Sequence, residues 1–220
     1  MALIAKSKLM PLLTEGSFDA VRFKVWKMDE SDSFYLKHLP AGLKGLEKVL
    51  QFHHKRKSEW LCSRFILYHL LAMPKNQDLQ VDEFGRKFGN TPNPVYYSIS
   101  HSSPLVAVLE SKFPSGVDIQ VWRPNIKHLA HKFLHPDELD YCRNDVESIH
   151  TFWGAKEAMF KAFDGKGIEF KKDLRVFPNK HKPLQSGIGK VIKNMREQIY
   201  NLHFYRFKEG LMVISTPTHE

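Results

Sequence analysis

The sequence predicts an α+β fold built mainly from antiparallel strands, and three observations carry that prediction. Alternating apolar and polar letters mark strands near the start, in the middle and at the end of the 220 residues. Long stretches between them follow the 3.6-residue helical period instead. The resulting order, β–α–ββ–β–α–α–β–ββ, groups strands in runs rather than alternating each with a helix, which favours antiparallel pairing.

Each element follows from its letters. Residues 18–27, FDAVRFKVWK, alternate like a half-buried strand. From Pro40 to Met73 the pattern is helical, two helices or one bent one, with a basic elbow at His53-His54-Lys55-Arg56-Lys57 and a stop at Pro74. DEFGRKFGNTPNP then supplies the Gly, Asn and Pro of turns. VYYSISHSSPLVAVLES reads as two strands around a Ser-His-Ser turn, and GVDIQVWRP as a third. NIKHLAHKFLHPDELDYC is helical, stops near Pro136 and restarts at Asp137; HTFWGAKEAMFKAF is the next helix. IYNLHFYRFKEGLMVIST closes the chain as a hairpin turning at Lys208-Glu209-Gly210. The best boundary lies at Pro114 to Gly116, giving an N-terminal α+β half, 1–114, and a C-terminal α+β half, 115–220.

Composition bounds the function. Hydrophobic residues at 42% and aromatics at 12% suit a packed core and not a disordered chain. Lys6 and Lys8 interrupt the apolar letters of the N-terminus, and no run reaches the ~20 apolar residues of a membrane span. A soluble, cytoplasmic protein without membrane partners is expected. The two cysteines, Cys62 and Cys142, are not spaced as metal ligands. The net charge of +9, spread over both halves, predicts an anionic partner: nucleic acid, a membrane surface, a phosphorylated small molecule or an acidic protein. A nucleic-acid-binding module is the weaker alternative, because no recognition helix or RNA-binding strand motif accompanies the charge.

The chemistry-bearing letters concentrate in the second half. In GVDIQ, strand alternation puts Asp118 and Gln120 side by side on one face, where two oxygen donors can converge on a hard cation. On the helix at 152–163, Phe152, Ala155, Met159, Ala162 and Phe163 make an apolar stripe. Trp153, Glu157 and Lys161 share another flank, so a carboxylate and an ammonium reach a common ligand. A solvated Glu/Lys pair is the plain alternative. His128, His131 and His135 also share a helical face and suggest a zinc site, but no base of the HExxH kind accompanies them.

SISHS at 98–102, GVDIQ at 116–120 and FWGAKEAMFKAF at 152–163, in that order, resemble the motifs of the 4′-phosphopantetheinyl transferases. The resemblance is to the longer, pseudo-dimeric kind that includes the surfactin-synthetase-activating enzyme (Sfp type), with a core at about residues 84–178. It implies two similar α+β halves related by a pseudo-twofold axis, with coenzyme A between them. The implied reaction moves the 4′-phosphopantetheine arm of coenzyme A onto a serine of an acyl or peptidyl carrier protein, releasing adenosine 3′,5′-bisphosphate. A monomer is expected, since fused halves remove the need for a dimer. Asp118 and Glu157 look like the carboxylates that hold Mg²⁺, with Mn²⁺ the alternative ion, and Glu157 also looks like a base. Lys161 looks like the lysine that meets the attacked phosphate. Ser100 and His101 look like the turn that contacts the 3′-phosphate end of coenzyme A, with Arg56, Arg86 and Lys87 further candidates for its phosphates. The chain departs from the family at Gln120, where a third acid is common, and at Asp164, where glycine is common. A homologue that binds coenzyme A and carrier but transfers weakly is the alternative the first departure raises.

Overall fold

The computed structural model describes residues 11–75, 79–81, 87–89, 95–163, 167–181 and 185–218. Two antiparallel sheets form its frame. The first holds β1 (Leu12–Phe18), β2 (Val21–Lys27), β3 (Leu79–Val81), β4 (Lys87–Gly89), β5 (Tyr96–Ser102) and β6 (Leu105–Ser111), in the order β1-β2-β6-β5-β4-β3. The second holds β7 (Gly116–Val121), β8 (Leu174–Pro178), β9 (Ser186–Lys193), β10 (Arg196–Arg206) and β11 (Gly210–Pro217), in the order β7-β11-β10-β9-β8. Apart from the edge strand β1, both sheets follow one scheme. An opening strand leads into helices, and a four-strand meander then returns so that its last strand pairs with the opening one. The expected antiparallel α+β class is what the chain adopts.

The helices of the first excursion are α1 (Asp32–His38), α2 (Leu46–Leu50) and α3 (His54–Phe65), the last continuing as a π-turn to Leu70. The second contains a 3₁₀ turn (Pro124–His128), α4 (Ala130–Phe133), α5 (Pro136–Cys142), α6 (Val146–Ala162) and α7 (Phe170–Asp173). Three apolar layers result. Trp26, Val106 and Val108 of the first sheet pack on α3 through Leu61, Cys62 and Phe65. Phe23, Val25, Ala107 and Leu109 meet Val117, Ile119, Met212 and Ile214 between the sheets. The anticipated stripe of α6, Phe152 to Phe163, is buried against Val191, Leu202 and Val213 of the second sheet. Full burial of a Phe or Met side chain stabilises by about 1.5–3 kcal/mol, so this stripe fixes the rotation of α6 and hence its polar flank. Among the described residues no helix is long and apolar enough to cross a membrane.

The sheets are joined by side chains where a backbone ladder is missing. Ser98, Ser100 and Ser102 of β5 accept the N–H groups of Val117, Ile119 and Val121 at 3.0, 3.2 and 3.1 Å, along the edge of β7 that β11 does not cover. The spacing of SISHS is therefore structural: every second residue of one strand serves every second amide of another.

Several boundaries differ from expectation. The strand placed at 18–27 is a hairpin turning at Asp19, whose φ of 46° is the left-handed value tight turns need and Asp tolerates. Helix α1, capped by Ser31, was not anticipated. The expected Ser-His-Ser turn lies wholly within β5, and the chain reverses at Ser103-Pro104. The segment at 125–142 breaks at Pro136 as expected, with Pro136 itself opening α5, but the part before it is further divided into the 3₁₀ turn and α4. His128, His131 and His135 consequently fall in three different segments, and among the described residues no cluster of three metal-ligating side chains forms. Of β8 and β9, only one strand was expected. Asp164 lies outside the described residues.

Candidate active site

Strand β7 delivers the first carboxylate. Its alternation sends Val117 and Ile119 between the sheets and Asp118 toward α6. Two glycines let strand and helix approach. A Cβ on Gly116 would stand 1.9 Å from the Ala158 carbonyl oxygen, and one on Gly154 would stand 3.0 Å from Val213 Cγ2 and 3.7 Å from Asp118 Oδ2. A side chain at 116 would push α6 off the carboxylate.

Asp118 is 3% exposed and has a donor on each carboxylate oxygen. Its Oδ1 accepts from Ser100 Oγ at 2.7 Å and from Lys161 Nζ at 2.7 Å, and its Oδ2 accepts from Gln120 Nε2. Lys161, in the last turn of α6, also donates to Ser100 Oγ at 3.1 Å and to the Val117 carbonyl at 3.0 Å. An ammonium has three N–H donors, and here all three meet protein oxygens. Glu157 stands one turn earlier on the same flank, half-buried. Burial raises its pKa above the ordinary carboxylate value, the charge of Asp118 raises it further, and Lys161 draws it down. It is a carboxylate with heightened proton affinity.

A second lysine of the same helix has another fate. Lys156 is fully buried, its Nζ 2.7 Å from Glu138 Oε2 and donating to the carbonyls of Phe133 at 2.8 Å and Phe170 at 2.9 Å. Those two aromatic residues flank Trp153, with ring centroids at 4.6 and 5.3 Å. Glu138 also accepts the N–H groups of His135 and Val176, so one buried pair ties α4, α5, α7 and β8 to α6.

Two cavities meet at Gln120 and Arg123. The larger, about 690 Å³, is cationic: Lys55, Arg56, His53, His101 and Arg123 line it around a single carboxylate, Glu59, whose Oε2 lies 3.1 Å from His101 Nδ1. The other, about 460 Å³, is mostly apolar, walled by Ile126, Leu129, Phe133, Trp153 and Phe170. His150 lines it too, held neutral by burial, which lowers its pKa, while its Nε2 accepts the Arg123 N–H at 3.0 Å.

The structure thus gathers Ser100, Asp118, Gln120 and Lys161 into one hydrogen-bonded cluster with Glu157 beside it, and sets His101 and Arg56 in the adjoining cationic cavity. Two placements differ from expectation. Ser100 is buried with its hydroxyl committed to Asp118, Ile119 and Lys161, because its side chain faces the second sheet. Lys161 turns toward Asp118. Lys87 falls on β4, and Arg86 lies outside the described residues. Glu59 and Arg123 escaped the sequence reading, though Arg123, just past the end of β7, carried a signal that could have found it; Lys156 and Glu138 lay within the stretches read there but were given no role.

Asp118, Glu157 and the Gln120 amide oxygen supply the hard oxygen donors that a Mg²⁺-type ion takes while keeping several waters. The donor chemistry fits such an ion, provided the donors now on Asp118 make room for it.

Comparison with known proteins finds a family pattern in the stretch that holds these residues. The sequence model of the 4′-phosphopantetheinyl transferase superfamily matches residues 114–209. The second half of this chain carries that superfamily's sequence pattern. Asp118, Gln120, Glu157 and Lys161 all lie inside the match, which bears out the resemblance drawn from the motifs. A 4′-phosphopantetheinyl transferase of Bacillus subtilis is 25% identical over 139 residues, covering 58% of this chain and 61% of that protein. The match thus spans less than two thirds of that relative's length.

Proposed function

We propose that this protein transfers the 4′-phosphopantetheine arm of coenzyme A to a serine of an acyl or peptidyl carrier protein, in the manner of the Sfp-type transferases. The observation that carries the reading is that a cationic and an apolar cavity meet at Gln120 and Arg123, and that Gln120 is hydrogen-bonded to Asp118, the carboxylate that Lys161 also holds. Coenzyme A has the same division. Its phosphorylated nucleotide suits the cavity of Lys55, Arg56, His101 and Arg123, and its amide-linked arm suits the one walled by Trp153, Phe133 and Phe170. The pyrophosphate between them then lies near Gln120, beside the two carboxylates.

The residues divide the work in this reading. Arg123 and the basic end of α3 hold and orient the phosphates, which is most of what phosphoryl transfer asks of a protein. Asp118, Glu157 and Gln120 would hold a divalent cation, Mg²⁺ or Mn²⁺, which when bound withdraws charge from the pyrophosphate oxygens. The carrier serine oxygen forms a bond to the β-phosphorus as the bond to adenosine 3′,5′-bisphosphate breaks. The serine proton passes to Glu157, whose proton affinity burial raises above that of an ordinary carboxylate. The basic surface favours a carrier protein with acidic character around its acceptor serine, drawn from fatty-acid, polyketide or nonribosomal-peptide assembly.

Intact mass measurement of an apo carrier protein incubated with coenzyme A, Mg²⁺ and this protein tests the reading. A gain of one phosphopantetheine that is absent with Asp118→Ala is expected. No gain on any of the three carrier types, with coenzyme A still bound, would identify a binding protein that does not transfer.

A further inference from the structure

We infer that Lys161 is a tethered counter-cation that occupies the Asp118 carboxylate in the resting protein and competes there with a divalent ion, so that metal and pyrophosphate load together. The inference rests on the reading above only in taking Asp118 as a metal ligand. Its basis is the set of donors on that carboxylate. Oδ1 is shared by the Lys161 ammonium and the Ser100 hydroxyl, both at 2.7 Å, and Oδ2 is held by the Gln120 amide. The ammonium is held in place, since its remaining donors end on Ser100 Oγ and the Val117 carbonyl.

Gln120 sharpens the competition. An acid at that position would repel Asp118 and invite a cation, whereas the amide donates an N–H to Asp118 and neutralises nothing. A metal approaching the free protein therefore finds two carboxylates already facing one resident positive charge. It must displace the ammonium from Oδ1 or bind beside it against like-charge repulsion. A bound pyrophosphate changes both terms. Its oxygens would offer Lys161 alternative acceptors and would add negative charge for the incoming ion. The Lys161 side chain is 26% exposed against 4% for Asp118, so it is the partner with room to move.

The two possible roles of Lys161 predict opposite signs. If it only gripped phosphate, removing it would weaken coenzyme A binding and leave metal affinity in the free protein unchanged. If it holds Asp118, removing it takes the counter-charge off the carboxylate and leaves only the neutral Ser100 and Gln120 donors, so metal binding without coenzyme A becomes tighter. Mn²⁺ titration followed by electron paramagnetic resonance reads this directly, with no turnover required. The comparison uses wild type, Lys161→Met, and Lys161→Gln, which keeps donors for Ser100 and the Val117 carbonyl and so preserves the local packing. Asp118→Asn serves as the control for site identity.

Both neutral variants should bind Mn²⁺ on the order of tenfold more tightly than wild type in the absence of coenzyme A, the scale of removing one positive charge a few ångströms from a divalent ion in a half-exposed site. Their further gain on adding coenzyme A, corrected for Mn²⁺ that coenzyme A binds in solution, should be smaller than the wild-type gain. Unchanged or weaker Mn²⁺ binding in both variants, or no Mn²⁺ binding in any of these proteins, overturns the inference. Failure of transfer to every carrier would instead overturn the proposed function while leaving this comparison of affinities intact.

Discussion

Replacing Lys156 with Met should destabilise the protein by about 3–5 kcal/mol, the cost of leaving one member of a buried ion pair uncompensated. The structure sets the scale. Lys156 and Glu138 side chains are 0% and 3% exposed, and their 2.7 Å contact is supplemented by two carbonyls that accept from the same ammonium. In the variant, the Glu138 carboxylate keeps the His135 and Val176 N–H donors but loses its counter-charge, and the Phe133 and Phe170 carbonyls lose their partner. For a chain of this size each kcal/mol moves the midpoint by about 2–4 °C, so the melting temperature should fall by roughly 6–20 °C. Urea unfolding followed by far-ultraviolet circular dichroism gives the free energy. A companion variant, Lys156→Met with Glu138→Gln, removes both charges while keeping an acceptor for the two amides, and should recover most of the loss. A single variant within about 1 kcal/mol of wild type, or a double variant no better than the single, would refute the assignment of a buried pair.

Two further predictions address the joint between the sheets and the histidine beside it. Ser98→Ala removes the acceptor of the buried Val117 N–H and should cost about 1–3 kcal/mol, whereas Ser102→Ala should cost less, because water reaches the half-buried Ser102; urea titrations giving the reverse order would contradict the serine ladder. His150 is held neutral by burial, with its pKa below the ordinary 6.5, so the unfolded chain takes up the proton first and stability should decline as pH falls below about 6.5. His150→Gln should flatten that part of the pH profile of unfolding free energy relative to wild type, and an unchanged slope would refute the burial argument.

The sequence made the site more legible than the first half of the fold. Period-2 spacing in GVDIQ placed Asp118 and Gln120 on one face correctly because β7 is regular from Gly116 to Val121. The apolar stripe of α6 placed Glu157 and Lys161 for a similar reason: burial of Phe152, Ala155 and Met159 leaves the helix one orientation. The turn at Asp19 was missed because Phe18 was counted with the alternating Val21, Phe23 and Val25, although it stands three positions from Val21 and so breaks the period; the left-handed φ of Asp19 marks the reversal. Ser100-His101-Ser102 was read as a turn because serine is common in turns. Its serines lie in a strand because the amides of β7 need acceptors, a demand that arises some twenty residues later in the chain and is invisible locally.

The two lysines of α6 show where sequence spacing stops being informative. Lys156 and Lys161 sit five positions apart, about 140° around a helix, so they cannot share a face. Which of them enters the site depends on which side each neighbour covers. Glu138, near the start of α5, meets Lys156 in the interior, and Asp118, on the edge of the second sheet, meets Lys161 nearer the surface. Chemically the pairs look alike, an ammonium against a carboxylate at 2.7 Å, but they respond differently to perturbation. The buried pair has no water or ligand to replace a lost partner, so breaking it is a stability event. The outer pair, with Lys161 26% exposed, is the one that solvent and solutes reach, so the exchange of partners proposed above would be a binding event there and not a loss of stability.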